Sequence, residues 1–354
     1  MTAKTATLTL LLPGLLTEAR IAPELAPQLA GSAPTLSAWL LAARPSEEEF
    51  DPFEHGCTAL EYWWLRRAGH EPRDGKFGAG LAALLAEDAP ADEPVWLAEL
   101  AYVQVGRDGP VLTDPAHLDT TPEEGRALLA AAQPALEAHG ARAAMLDERR
   151  WRLELPAGGA QHSGTPDAVA GSPLDAWWPR TIETRPWRKL ANEIQMAWHE
   201  SPVNQAREAR GLPPVNTLWL HGGSRPWQPT WPDGRPDLLM GGQAWVRALA
   251  QRAGLPWRRA EAPQPGALAE LSDFAAPERN DDWRAWLDAA ARLERDWFDP
   301  TARMLRSGAL QRLTLVLPGR TRLVTLDLDR RPALLRWLPS HRHDWKSWWL
   351  PRES

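Results

Sequence analysis

Residues 196–224 read MAWHESPVNQAREARGLPPVNTLWLHGGS and gather two histidines, two asparagines, two arginines and a terminal glycine pair around short apolar runs. Arginine grips a carboxylate or phosphate through a planar fork, asparagine orients a hydroxyl, and glycine lets the backbone approach a ligand closely. His199 ends one expected helix. Spacings of three and four place Asn204, Arg207 and Glu208 on one face of the next. Asn216 opens a strand, and His221 with Gly222 and Gly223 is expected to leave it. In an α/β sheet, ligands bind where strands end and loops begin. The segment therefore reads as a ligand site formed by His199, Asn204, Arg207, Asn216, His221, Gly222 and Gly223. The same residue types also serve as helix caps and turn formers, so both roles stay open at this level.

Other candidates are weaker. Cys57 follows His55 by two residues; an isolated helical cysteine is expected to be a small buried hydrophobe. His341, His343 and Asp344 of HRHD offer three metal donors without a second spaced ligand pair. Asp327 and Asp329 of TLDLD share one strand face, where solvation is the simpler role. Gly241-Gly242 opens a helix whose free N–H groups suit an anion, but no complete phosphate-loop pattern accompanies it. Arg and Trp recur from 303 to 352, a composition that suits single-stranded nucleic acid or ordinary cation–π pairing.

The chain has 354 residues, a net charge of −6, one cysteine and 21 tryptophans. This length is a soft prior for roughly two domains. The acidic balance argues against a global basic field for nucleic acid. One cysteine permits no internal disulfide and suits the cytoplasm. No apolar run is long enough for a membrane helix. Near the start, Pro13-Gly14 interrupts the apolar run before any cleavage pattern, so a strand and turn are expected rather than a signal peptide. Tryptophans at this density are expected in the core, some lining a groove.

Positioning elements follow from periodicity and punctuation. TATLTLLLPGLL predicts a strand and turn; PTLSAWLLAARPS, HGCTALEYWWLRRAGH and FGAGLAALLAED predict helices. AYVQV and RWRLELP read as strands. Thr121 caps a helix that starts at Pro122 and is expected to bend or split at Pro134. Leu190, Ala191, Ile194, Ala197 and Trp198 share a helical face; Ser201 caps a second helix, and Gly211 ends it. PVNTLWL is a short strand with HGGS as its exit loop. Residues 243–253 form a helix closed by Gly254. NDDWRAWLDAAARLERDWFDPTARMLRSG is an amphipathic helix interrupted at Pro300. LQRLTLVLPG and RLVTLDLD pair as a hairpin. Alternating helices and strands indicate the α/β class with a partly antiparallel sheet. Low apolar content at 157–172 suggests a linker or long loop between an N-terminal α/β region, 1–156, and a C-terminal one, 173–354.

Residues 192–224 resemble the central signature of the RpfE-type regulatory protein family, bacterial proteins named for the E member of the regulation-of-pathogenicity-factors cluster and described as phosphoglycerate-mutase-like. TDPAHLD at 113–119 and the spacing to WFDP at 297–300 are also similar. The central pattern is similar to a segment of archaeal-type cofactor-independent phosphoglycerate mutases. That resemblance implies an alkaline-phosphatase-like mixed sheet flanked by helices. It also raises Asp114 and His117 as neighbours of the ligand site, although an Asp-Pro turn is their simpler role. The mutases carry two metals and a phosphorylated serine. This chain has Pro13 where their first metal acid is expected, LTLVLPGRT where an Asp-His motif is expected, and LSDFAAPERNDDW with acids but no histidine. Two-metal transfer holds its ions roughly 4 Å apart with several ligands, so a degenerate or missing metal site is expected, with no cofactor. The expectation is a regulatory or ligand-binding protein taking a small phosphorylated or carboxylate ligand. The alternatives are a phosphomutase or phosphatase with a relocated metal site, and an interaction protein meeting a protein partner through tryptophan.

Overall fold

In the computed structural model, the described residues are 6–17, 21–72, 75–86, 88–106, 109–156, 163–178, 181–329 and 349. The strands are β1 (Thr7–Leu11), β2 (Pro45–Glu49), β3 (Val95–Ala101), β4 (Val103–Gly106), β5 (Gly109–Leu112), β6 (Arg142–Met145), β7 (Arg150–Glu154), β8 (Thr217–Ser224), β9 (Leu238–Gly241), β10 (Trp257–Arg258), β11 (Ala267–Glu270), β12 (Arg312–Pro318) and β13 (Arg322–Asp329). The chain forms two compact units: Met1–Asp51 with Trp231–Ser354, and Pro52–Thr230.

The first unit is built on a seven-stranded sheet in the order β10-β9-β11-β1-β12-β13-β2. The five strands from β10 to β12 are parallel, and β13 and β2 are antiparallel additions. Parallel strands covered on both faces read as continuous apolar runs, which is why Leu8, Leu10 and Leu11 are all buried. Leu8, Leu10, Leu315 and Leu317 join a core with Trp286 and Phe298. The amphipathic stretch before Gly308 is interrupted as expected. A helix over Trp283–Leu293 passes through a π-helical turn, Glu294–Phe298, into a helix over Asp299–Ser307 that has Pro300 in its first turn. The predicted final hairpin is β12–β13, where Thr314 donates to Asp327 (2.6 Å) and Arg312 to Asp329 (2.7 Å) on an exposed face. HRHD and most of the tryptophan-bearing tail lie outside the described residues.

The second unit holds a four-stranded antiparallel sheet, β6-β7-β3-β8, and the hairpin β4-β5. Trp96, Ala98, Leu100, Trp151, Leu153, Leu218 and Leu220 form one apolar face against helices Pro122–Ala138 and Arg185–His199. Thr58 and Thr121 each close a full capping box, with Glu61 and Glu124.

Three expectations are corrected here. The chain does not divide at 157–172: residues from Pro52 to Thr230 belong to one unit, because β7 and β8 on either side share a sheet. In the described part of that stretch, Gly164 marks close packing. A Cβ at Gly164 would lie 2.3 Å from the Trp177 ring, and the Gly164 carbonyl accepts from Trp219 Nε1 (2.9 Å). Second, Pro134 does not split its helix, which runs continuously over Pro122–Ala138. Packing of the Leu128, Ala132 and Leu136 face outweighs the lost backbone hydrogen bond. Third, HGGS is not an exit loop but the second half of β8, paired with β3 as far as Val95↔Ser224 across a register shift. Gly222 and Gly223, at φ +105° and +99°, absorb that irregularity, as glycines do at bulges.

Candidate functional site

The central motif is assembled, but from the inside. Ser201 caps helix Pro202–Ala209 by accepting from the Asn204 N–H. The Asn204 amide donates to the carbonyls of Trp198 (2.9 Å) and Val215 (2.8 Å), and its oxygen accepts from the Val215 N–H (2.9 Å). It thereby ties a helix end to the segment entering β8. Arg207, with 0% of its side chain exposed, donates to Pro213 O (2.9 Å), to Glu124 Oε2 (2.7 Å) and to Leu118 O. All three guanidinium nitrogens are engaged. Asn216 exchanges two 2.8 Å hydrogen bonds with the Val103 backbone, acting as a substitute strand residue.

The remaining expected site residues scatter. His199 and His117 are exposed, and Asp114 is half-buried in the turn whose carbonyl accepts from the His117 N–H. Leu118, four residues after Asp114, meets Arg207 through its carbonyl only. His221, Gly222 and Gly223 lie within an antiparallel sheet, so no carboxyl end of a parallel strand opens beside them. The structure thus brings together Asn204, Arg207 and the TDPAHLD backbone as a clamp, with every guanidinium nitrogen of Arg207 already holding a protein acceptor and none of its side chain exposed to a ligand. The physical reason is desolvation: a guanidinium this buried persists only when its donors are paired.

The opposite face of the second unit's sheet is mixed: Val95, Leu97, Ala101 and Trp219 pack into apolar clusters there beside buried polar groups. Strand alternation puts His221 and Trp219 of β8, Glu99 of β3 and Arg150 of β7 on it, with Glu99 opposite both Trp219 and Arg150. Neither ring nitrogen of His221 is hydrogen-bonded. Burial, aided by the Arg150 charge, pushes its pKa down to about 3, so it is neutral. Burial pushes Glu99 up to about 7 although Arg149 lies 3.9 Å away and Arg150 opposes the shift. Burial and Asp167 push Glu61 up to about 8, against hydrogen bonds from Thr58 and Thr165. Burial also lowers His70 to about 4. Cys57 is buried, and burial drives its thiol pKa far up, which leaves no thiolate for catalysis.

These shifts fix a pH profile. The two carboxyls hold protons in the folded state that the unfolded chain releases above about 4.5; their contribution is lost as pH rises through about 7 and 8. The two histidines stay neutral where the unfolded chain protonates below about 6.5; their contribution is lost as pH falls through about 4 and 3. Between about pH 4.5 and 6.5 the slopes oppose each other. Urea midpoints measured across pH are expected to plateau there, falling towards pH 8 and towards pH 3. Glu99→Gln should flatten the alkaline limb; an unchanged limb counts against the assignment.

A solvent-reachable site lies in the first unit, at the carboxyl ends of its parallel strands. Gly241 and Gly242 leave β9 at φ +68° and +75° and lead into helix Ala244–Arg252. A Cβ at Gly241 would lie 2.3 Å from the Glu270 carbonyl and 3.2 Å from Ala260, so the two loops close tightly there. Trp257 of β10 donates from Nε1 to the Gly241 carbonyl (2.9 Å). Beyond β10, Met240, Arg258, Arg259, Glu261, Ala262 and Gln264 line a cavity of about 360 Å³. Arg258 and Arg259 are exposed, and among the described residues no hydrogen bond or ion pair engages either guanidinium. Gly241-Gly242 stands out in the sequence, whereas these residues do not. Their one local trace is WRRAEAPQ, whose charges begin at the last residue of a two-residue strand.

Comparison with known proteins adds the fold. No family model matches the sequence, and no curated protein matches it. Among solved structures, the PH0037 protein from Pyrococcus horikoshii is similar over 93% of this chain and 88% of its own, with 14% identity and a TM-score of 0.51. A cofactor-independent phosphoglycerate mutase from Thermoplasma acidophilum DSM 1728 is similar over 92% of this chain and 90% of its own, with 15% identity and a TM-score of 0.44. The mixed α/β class with helices flanking a central mixed sheet is the one expected from sequence.

Among the described residues, the places where the sequence resemblance implies metal ligands do not carry the donors of the mutases' dinuclear centre. After β1 stand Leu12-Pro13-Gly14, so Pro13, which has no donor for a metal, occupies the place where the resemblance puts the first metal acid. β12 ends in Pro318 and is followed by Gly319. Glu270, buried at the end of β11, accepts from Ser272 (2.9 Å). Among the described residues no three His, Cys, Asp or Glu side chains converge to hold a metal. No helix among them is long and apolar enough to cross a membrane. None of the large exposed apolar side chains among them is a tryptophan; several indoles donate to carbonyls instead, as Trp198 does at Leu128 (2.9 Å) and Trp219 at Gly164 (2.9 Å).

Proposed function

We propose that this chain is a ligand-binding protein of regulatory type on a phosphoglycerate-mutase-like scaffold, and that it holds a small carboxylate- or phosphate-bearing molecule in the cavity beyond β10. The observation that carries this reading is the pair of guanidiniums, Arg258 and Arg259, unengaged among the described residues and lining about 360 Å³ of space at the carboxyl ends of parallel strands. Parallel α/β sheets bind ligands at that end, and a volume of this order suits one small molecule. Resemblance of residues 192–224 to the mutase and RpfE-type signature supports the scaffold. Its polar side chains are assigned to holding the fold, and recognition passes to the β10 edge.

Titration calorimetry of wild type and Arg258→Ala/Arg259→Ala with 3-phosphoglycerate and simple carboxylates tests this reading. The double variant should lose at least about tenfold in affinity, the scale of one charge-assisted hydrogen bond. Equal binding by both proteins removes the assignment. Turnover of a phosphate ester that needs manganese or zinc and stops with chelator would replace it with a metal-dependent phosphatase or mutase.

A further inference from the structure

The β10 cavity carries one charge that a pure anion site would not contain. Glu261 shares its wall with Arg258 and Arg259, and among the described residues it forms no ion pair with them. The Glu261 N–H donates to the Arg259 carbonyl (3.1 Å), a tight turn that returns the chain to the cavity wall. Ala262 supplies exposed apolar surface over the buried Met240, and Gln264 supplies an amide.

The wall is well anchored. Arg258 is the register partner of Met240, the Leu239 N–H donates to the Pro256 carbonyl (3.0 Å), and Ala260 packs at Gly241. Two guanidiniums and a carboxylate are therefore presented together on a loop tied to the sheet at its start.

A doubly charged phosphate would satisfy the guanidiniums but face Glu261 with a like charge. A molecule bearing a carboxylate and an ammonium satisfies all three groups. The arginine fork matches the carboxylate, and the Glu261 carboxylate accepts from the ammonium. An apolar side chain then has Ala262 to cover, with Met240 beneath it in the wall. We propose that this cavity recognises a zwitterion, a free α-amino acid with an apolar side chain. The inference rests on the reading of the cavity as a ligand site and narrows its ligand class.

The test is calorimetric titration of the full chain with four probes: L-leucine, N-acetyl-L-leucine, L-leucine amide and 3-phosphoglycerate. L-leucine should bind, and each of the other three should bind at least tenfold more weakly. Glu261→Gln should bring L-leucine and N-acetyl-L-leucine to equal affinity, and Arg259→Ala should abolish the preference for a free carboxylate. Glu261 is exposed, so this variant is expected to fold; its urea midpoint checks that. N-acetyl-L-leucine or 3-phosphoglycerate binding as well as L-leucine in wild type overturns the zwitterion and leaves the anion site standing. Absence of binding by all four probes overturns both.

Discussion

Arg207→Met should be among the most damaging single substitutions in the chain, costing about 3–5 kcal/mol, the scale of breaking one side of a buried ion pair. The guanidinium is fully buried and serves three acceptors: Glu124 Oε2, Pro213 O and Leu118 O. Its removal strands a half-paired carboxylate and two carbonyls. Glu124 is also the capping-box residue of helix Pro122–Ala138 and accepts from Arg210 (3.3 Å), so damage reaches the helix start. Arg207→Lys should recover little, because one ammonium cannot reproduce a planar fork. Arg207→Met/Glu124→Gln should recover part of the loss, since no unpaired charge then stays buried and the glutamine keeps the cap. Urea unfolding followed by tryptophan fluorescence reads all three. A cost below about 1 kcal/mol, the range of exposed pairs, would show that the guanidinium is free in solution.

Gly222→Ala is the second large effect. Gly222 occupies φ +105°, and a Cβ there would lie 2.5 Å from the Val95 carbonyl and 2.6 Å from the Ala82 side chain. One neighbour is sheet backbone and the other a buried helix residue, so neither yields easily. Left-handed strain of about 1–2 kcal/mol adds to overpacking of about 1–3 kcal/mol. Gly140→Ala has the same sign of φ, +66°, but nothing within 4 Å; it should show the strain alone. Comparing the two urea midpoints separates close approach from conformation. Equal losses would mean that β3 and β8 do not approach as closely as described.

How much was legible in the sequence follows from what each signal depends on. The Thr121 cap, the Ser201 cap, the Gly211 stop and the β12–β13 hairpin depend on a few neighbouring residues, and those were readable; the Thr58 capping box is equally local but emerged only in the structure. Fold class followed from the alternation of elements. The role of HGGS was not readable, because a glycine pair after a strand marks an exit in most chains and a bulge in this one; only the partner strand β3 decides. The role of Arg207 was hidden for a similar reason. Its helix face was evident, yet whether that face meets solvent or Glu124 depends on a residue 83 positions away. The unit boundaries were hidden because the first unit is discontinuous, closed by the pairing of β1 with β11 and β12.

The β10 edge illustrates the opposite case. Its strand has two residues, too few for any periodic signal, and its arginines are ordinary surface residues by composition. Their meaning comes from position at the carboxyl end of a parallel sheet, beside Gly241 and Met240. The residues that look most like a site by type hold the second unit's core together. The residues assigned to recognition are inconspicuous in sequence.

Backbone amide shifts of the deuterated protein, recorded by NMR during titration with L-leucine and with 3-phosphoglycerate, address that division most directly. Perturbations confined to residues 239–242 and 256–266 are the predicted result. Perturbations centred on residues 199–223, with the β10 edge unmoved, would contradict it.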